Sequence, residues 1–330
     1  MIKFATVGRG PIVECFIKGA ELTGKFCLGA VYSRNRETGE EFAKKHNCGK
    51  VYTDLKDLAD DPDIQAVYIA SPNICHAKQS EILLKGGKHI ICEKPIAVSA
   101  DEYAKVKSTA DSLNLIYMEA IIPRYVENHD AVLDAVGKIG NITMAKIDYC
   151  QLTSRYEKLK RGEKVNIFDM SLAAGALMDI GVYCVYAAVD LLGMPKSIKA
   201  AASFLPDGAD SAGAAVFQYD NFTAAVTYSK VGQSMAPCEI IGDEGSVIIE
   251  KIGLYQGAYL LKNGEKTALF KECKKEELMG MEALALADLM NGRRMNVYKD
   301  ASELCLKVHK CMDIIKREAD IKYTYKEENI

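Results

Sequence analysis

Two groups of residues have the types and spacing to act on a substrate. Lys94, within Glu93-Lys94-Pro95, closes the apolar run His89-Ile90-Ile91-Cys92, which reads as a buried strand. A lysine at the carboxyl end of such a strand is costly without a partner or a task. In open α/β sheets that end faces the ligand crevice. There an ammonium polarises a carbonyl oxygen or lowers a neighbour's pKa. Pro95 fixes its own φ and lacks an N–H, which stiffens the corner. A plain surface lysine at a strand end fits the tripeptide equally. In the second group, Asp179 and Tyr183 stand one helical turn apart near a helix start, so they share a face. If that face meets a nicotinamide, a carboxylate and a phenol converge on the substrate carbon. A phenol with a pKa of about 10 is a poor acid–base group by itself. An ammonium beside it favours phenolate. The alternative makes Asp179 an N-cap and Tyr183 a core aromatic.

A glycine-rich turn supplies the cofactor side of the chemistry. Gly8-x-Gly10 follows an apolar run, Lys3–Val7, and opens a helix with Pro11 and Ile12. The first glycine permits a tight turn, the second lets backbone approach a pyrophosphate, and the helix N-terminus attracts its charge. The third fingerprint position is Val13, which predicts slightly wider helix–strand spacing. At the end of the second strand an NAD site places a carboxylate on the ribose 2′-hydroxyl. Here Ser33-Arg34-Asn35 offers a hydroxyl and a guanidinium, which suit a 2′-phosphate. NADP is the expected cofactor, with NAD possible.

These residues need a particular frame. Runs at Lys3–Val7, Leu28–Tyr32, Ala66–Ala70, His89–Cys92 and Leu115–Met118 alternate with helical patterns over 12–20, 37–46, 75–85 and 103–113, with Ser99 and Asp101 as candidate N-caps of the last. Strands alternating with helices imply a parallel sheet covered on both faces. Beyond about residue 122 the apolar period becomes two, at 142–150, 214–219, 222–228 and 246–249. Asp220-Asn221 and Asn263-Gly264 signal hairpins. Helical patterns recur at 181–192, 282–290 and 302–317. The expected class is α/β: a doubly wound Rossmann domain over 1–121, then an α+β substrate-binding and oligomerisation domain over 122–330 with a large, mostly antiparallel open sheet.

Bulk properties narrow the setting. A net charge of −3 and a pI near 6.0 argue against nucleic acid. The basic cluster Lys158 to Arg161 is short and balanced by Glu157 and Glu163. The 11 cysteines are scattered singly, without metal spacing, so no metal site is expected. Cys27, Cys92, Cys150 and Cys184 read as small buried hydrophobes in a reducing compartment. No uninterrupted apolar stretch reads as long enough to cross a bilayer, and the N-terminus goes straight into a strand. The expectation is a cytoplasmic protein without membrane partners.

In order along the chain, Gly8-x-Gly10-x-Ile12, Tyr68-Ile69-Ala70-Ser71-Pro72-Asn73 with His76, Gly87-Lys88-His89 leading to Glu93-Lys94-Pro95, Arg124, Gly175-Ala176-Leu177-x-Asp179-Ile180-Gly181-x-Tyr183 and Gly242-x-x-Gly245-Ser246 resemble the glucose–fructose oxidoreductase, inositol dehydrogenase and rhizopine-catabolism (Gfo/Idh/MocA) family. Tyr183 replaces the usual closing His, which is similar to the branch holding dimeric dihydrodiol dehydrogenase, NADP-linked D-xylose dehydrogenase and glucose–fructose oxidoreductase. The resemblance implies hydride transfer at a carbon of a sugar, polyol or cyclic trans-diol. It implies Lys94 and Tyr183 as catalytic residues, with Asp179 orienting the substrate. It places His76, Ser71, Pro72, Asn73, Glu93, Lys94 and Arg124 at the cofactor, beside Gly8, Gly10, Pro11, Ile12, Ser33, Arg34 and Asn35. It also implies a homodimer or homotetramer through the second sheet. Two departures bear on substrate choice: Ala174-Gly175 replaces a double glycine, and Arg155–Met170, expected to border the substrate, carries no match.

For His76 the residues alone also allow a solvent-facing helix start, and for Arg124 a salt bridge. Two rival functions share this architecture. A non-catalytic dinucleotide sensor has no need to keep Lys94, Asp179 and Tyr183 together. An NAD-assisted glycosidase would retain a cofactor that is not consumed.

Overall fold

The computed structural model describes residues 1–324 of the chain, which form two compact units. The first comprises Met1–Val126 and Cys273–Glu303; the second comprises Glu127–Glu272 and 304–324.

The first unit runs β1 (Ile2–Val7), α1 (Pro11–Leu22), β2 (Phe26–Tyr32), α2 (Arg36–Lys45), β3 (Val51–Tyr52), α3 (Leu55–Ala59), β4 (Ala66–Ile69), α4 (His76–Lys85), β5 (His89–Glu93), α5 (Ala100–Ser112) and β6 (Tyr117–Ala120). The six strands are parallel, in the order β3-β2-β1-β4-β5-β6. All four residues of β4 are buried, as expected of a strand covered on both faces. Strand order reverses between β1 and β4, and such a switch point opens a crevice at the carboxyl ends of the strands. Gly8 leaves β1 at that point with φ +119°, and a Cβ there would lie 2.6 Å from the Ala70 carbonyl oxygen beyond β4. Only glycine lets the two strand ends approach so closely. The fully buried Val13 fills the space behind Gly8 with its Cγ2. Ser99 caps α5 by accepting from Glu102 N, so of the two candidates it is the cap.

The second unit begins with α6 (Asn128–Val136), β7 (Ile142–Cys150), α7 (Tyr156–Lys160) and α8 (Val182–Leu192). It continues through β8 (Ser197–Phe204), β9 (Asp210–Gln218), β10 (Thr223–Ser229), β11 (Cys238–Gly242), β12 (Ser246–Lys251), β13 (Gln256–Lys262) and β14 (Glu265–Ala268). These strands form one sheet, β14-β13-β12-β11-β7-β10-β9-β8, antiparallel except for the β7–β10 pair. Asn263 and Gly264 turn β13 into β14 with φ of 53° and 81°, the primed turn their types favour. Four of the eight strands escape the period-two reading. β8 is alanine-rich with one fully buried residue, and β14 is exposed throughout, so pairing with neighbours makes them strands.

The chain then forms α9 (Lys275–Met290) in the first unit, and α10 (Met295–Glu318). Both helices start earlier than the apolar period suggests; the first turn of α9, Lys275-Glu276-Glu277, is polar and carries no apolar signal. One membrane expectation needs correction. Met170–Leu192, with a mean hydropathy of 1.7, is long and apolar enough to span a bilayer. Yet 83% of its apolar window is buried inside the protein, the condition of a core helix. All 11 cysteines are free; Cys92 and Cys184 are buried, whereas Cys27 and Cys150 are only half-buried.

Replacing Gly8 with Ala should cost about 2 kcal/mol or more from the positive φ and the overlap with Ala70. Urea unfolding measures this; an unchanged midpoint would show that the strand ends can part.

Candidate functional site

In the first unit, polar side chains pin the corner that carries Lys94. Lys94 itself is half-buried. Before it, the Glu93 carboxylate accepts from the Tyr68 hydroxyl at 2.6 Å, and the Tyr68 ring stacks on Phe16 of α1 at 3.9 Å. Burial pushes the Glu93 carboxyl up, against the lowering effect of Lys94 and Tyr68. Glu282 of α9 is fully buried, and burial first and the Glu93 charge second push its carboxyl well up. After Lys94 the chain is held at two successive residues. The Pro95 carbonyl lies 2.8 Å from His76 Nδ1. Ile96 donates its N–H to Glu119 at 2.8 Å and accepts from the Tyr117 hydroxyl at 3.2 Å.

His76 is buried, which excludes the solvent-facing alternative. Its Nε2 lies 2.8 Å from the Ser71 carbonyl, so one ring bridges the loop after β4 to the corner after β5. Burial lowers its pKa, while the two carbonyl partners pull the other way. Ser71 also donates to Gln79 at 2.6 Å, and Pro72 leads into a short helical turn over Asn73–Cys75. Arg124 lies in the turn Ile122–Tyr125 of the same unit.

At the nucleotide end, Gly10 is the N-cap of α1, Pro11 its first residue and Ile12 its second. A Cβ on Gly10 would meet nothing within 4 Å, so the backbone there is open to a ligand. Ser33 is buried and Asn35 exposed: the Ser33 hydroxyl donates to the Asn35 carbonyl at 2.7 Å, and Asn35 caps α2 by accepting from Thr38 N at 3.0 Å. Arg34 and Arg36 are exposed there. Arg9, between the two glycines, donates to the Thr38 carbonyl at 3.3 Å. The end of β2 thus gathers three guanidiniums, of which Arg36 pairs with Glu40 at 3.5 Å, and Ser33-Arg34-Asn35 itself holds no carboxylate. Sequence reasoning passed over Arg9 because the fingerprint leaves that position open.

In the second unit, Asp179 lies within a π-helical turn, Leu177–Gly181, that runs into α8. It is therefore not an N-cap. Such turns recur at functional sites, since the extra residue re-aims the side chains. The Asp179 carboxylate pairs with Lys230 at 2.7 Å. Tyr183 is half-buried, its ring 5.8 Å from that of Tyr149. The amides at the start of this segment rest on Asp210, which accepts from Leu177 N at 2.7 Å. Gly175, with φ +137°, leaves room for that carboxylate; a Cβ would overlap it. Burial pushes the Asp210 carboxyl up to about 6, although backbone N–H groups hold it down. Lys230 and Asp210 lie far from the helix in sequence, and no motif announces them.

The segment 155–170 folds over the cluster Val165, Phe168 and Ala209. It walls a cavity of about 650 Å³, lined in part by Tyr156, Leu159, Met170 and Leu205.

Fold and site together define a dinucleotide-dependent oxidoreductase. Residues 2–121 match the model of the oxidoreductase family with NAD-binding Rossmann fold, GFO/IDH/MocA, and residues 133–248 match the C-terminal domain model of the same family. The chain belongs to that family and is an enzyme of the dehydrogenase and reductase class. It is 40% identical to scyllo-inositol 2-dehydrogenase (NADP(+)) IolU of Bacillus subtilis, over 76% of this chain and 77% of that one. It is 28% identical to mouse trans-1,2-dihydrobenzene-1,2-diol dehydrogenase over 72% and 70%. Its fold matches the 3-ketoreductase KijD10 of Actinomadura kijaniata, solved with NADP and TDP-benzene, at a TM-score of 0.83 and 20% identity, over 98% of this chain and 99% of that one.

Asp210→Asn keeps an acceptor for Leu177 N but removes the titration. A folded-state pKa raised above the unfolded one means that the wild type loses stability as pH rises from about 4 through 6. The difference in unfolding free energy should move toward the Asn variant by about 1–3 kcal/mol across that window. A pH-independent difference would contradict the upward shift.

Proposed function

We propose that the protein is an NADP(H)-dependent oxidoreductase that moves a hydride between nicotinamide and a ring carbon bearing a hydroxyl, in a sugar, a cyclic polyol or a trans-diol. The observation that carries this reading is the presence of Lys94, Asp179 and Tyr183 together in a chain 40% identical to an inositol dehydrogenase. The NADP preference rests on Arg9, Arg34 and Arg36, where a carboxylate would repel a 2′-phosphate. Residues 1–121 bind the dinucleotide and 122–330 the substrate. The sheet of the second unit exposes Met144, Phe204 and Val216, apolar side chains that suit association with a second copy.

In the oxidative direction Tyr183 takes the hydroxyl proton while hydride leaves for the nicotinamide. Lys94 stabilises the developing oxyanion and favours the phenolate form of Tyr183. Asp179 accepts a hydrogen bond from a second, neighbouring substrate hydroxyl and so orients the reacting carbon. His76 acts through Pro95 and Ser71, holding the corner rather than touching the substrate. This assignment has no use for a sensor reading, since a sensor needs no proton acceptor.

Tyr183→Phe and Lys94→Ala should each lower kcat by about 100-fold or more while NADPH binding persists. A panel of scyllo-inositol, aldoses and trans-diols followed by NADPH absorbance checks this, and near wild-type turnover in Tyr183→Phe would remove that role from the tyrosine. Arg34→Ala should raise the KM for NADP about 10-fold and that for NAD little; equal losses would refute the selectivity argument.

A further inference from the structure

We infer that Lys230 is a positioning residue of the active site, holding the Asp179 carboxylate in the orientation that receives that neighbouring substrate hydroxyl. This rests on the proposed role of Asp179. Lys230 Nζ lies 2.7 Å from Asp179 Oδ2, and the two side chains are 9% and 32% exposed. The lysine is almost wholly enclosed, and the carboxylate keeps one face open. An ammonium so enclosed cannot exchange its partner for water, and removing either charge leaves the other stranded.

Lys230 is fixed from three directions. It follows directly on β10, the strand between β7 and β9. Its N–H donates to the Ser211 carbonyl at 2.9 Å, and its carbonyl accepts from Thr153 N at 3.0 Å. Its neighbour Val231 packs on the Val165, Phe168 and Ala209 cluster. The backbone that carries the ammonium is therefore part of the sheet.

The same end of the sheet supports the Asp179 segment twice. Asp210, next to Ser211, seats the amide of Leu177, and Lys230 seats the side chain two residues further on. π-helical turns are rare and recur at functional sites, and this one is held from outside at its opening amide and at its carboxylate. One anchor sets the turn's start and the other the aim of its carboxylate. Asp179 then acts on the substrate, and Lys230 acts only through Asp179.

The experiment is a double-mutant cycle on the full chain, read as kcat/KM for scyllo-inositol oxidation with NADP, or for the best substrate of the panel above. Lys230→Met should lower kcat/KM about 30-fold or more, with NADPH binding within twofold of wild type. Lys230→Arg should recover most of the loss, since it restores the ion pair. In an Asp179→Asn background, Lys230→Met should cost less than threefold, because the group it serves is gone. A Lys230→Met variant within twofold of wild type overturns the inference, as does a loss of equal size in the Asp179→Asn background, the mark of a structural role. If Lys230→Met alone does not fold, the double variant, which removes both buried charges, decides by the same comparison with Asp179→Asn. An Asp179→Asn variant with wild-type activity overturns this inference together with the proposed role of Asp179; an impaired Asp179→Asn beside an unimpaired Lys230→Met overturns this inference alone.

Discussion

A cation at the end of a buried strand can serve chemistry only if the backbone beneath it cannot move. In this chain the rigidity around Lys94 comes from buried polar groups with no water to turn to. Tyr68 holds Glu93, His76 holds Pro95, and Glu119 with Tyr117 holds Ile96. Each bond spans from one strand or helix to the next, so the corner inherits the stiffness of the whole parallel sheet. A buried donor or acceptor left unmade costs more than a made bond contributes. The arrangement therefore resists partial loosening: one bond cannot be given up without stranding its partner.

The second unit solves a similar problem with charge. The helix α8 is entered through a π-helical turn that carries Asp179. Asp210 and Lys230, both at one end of the sheet, hold that turn from outside. Asp210 offers a carboxylate to the opening amides at the cost of burying it, which is why its carboxyl titrates high. Lys230 is buried and spends its charge on Asp179. Gly175 makes this close approach possible by having no side chain.

Much of the frame was legible from residue order. The parallel sheet follows from strands alternating with helices, and the cofactor turn follows from Gly8-x-Gly10 leaving a strand and entering a helix. The Asn263-Gly264 hairpin was legible because only such residues adopt two positive φ values at low cost. Half of the second sheet was not. β8 and β14 bury almost nothing by themselves, so no apolar period marks them, and neighbouring strands create them. His76 reads in sequence as a helix start near a ligand. That both of its ring nitrogens are engaged within the protein depends on where Ser71 and Pro95 come to lie.

What the sequence by itself determined was local chemistry: a pyrophosphate-ready turn, a strand-end lysine, a carboxylate and a phenol one helical turn apart, and a β2 terminus without an acid. These depend on residue type and short spacing, which backbone geometry converts directly into position. What only the tertiary structure decided was the set of residues that hold those groups in place. Lys230 stands 51 residues from Asp179, and Asp210 stands 33 from Leu177. Arg9 meets α2 only because α2 packs back on β2, the strand paired with β1. No short-range pattern encodes such pairs, since each forms only when separate strands are brought into register in a sheet.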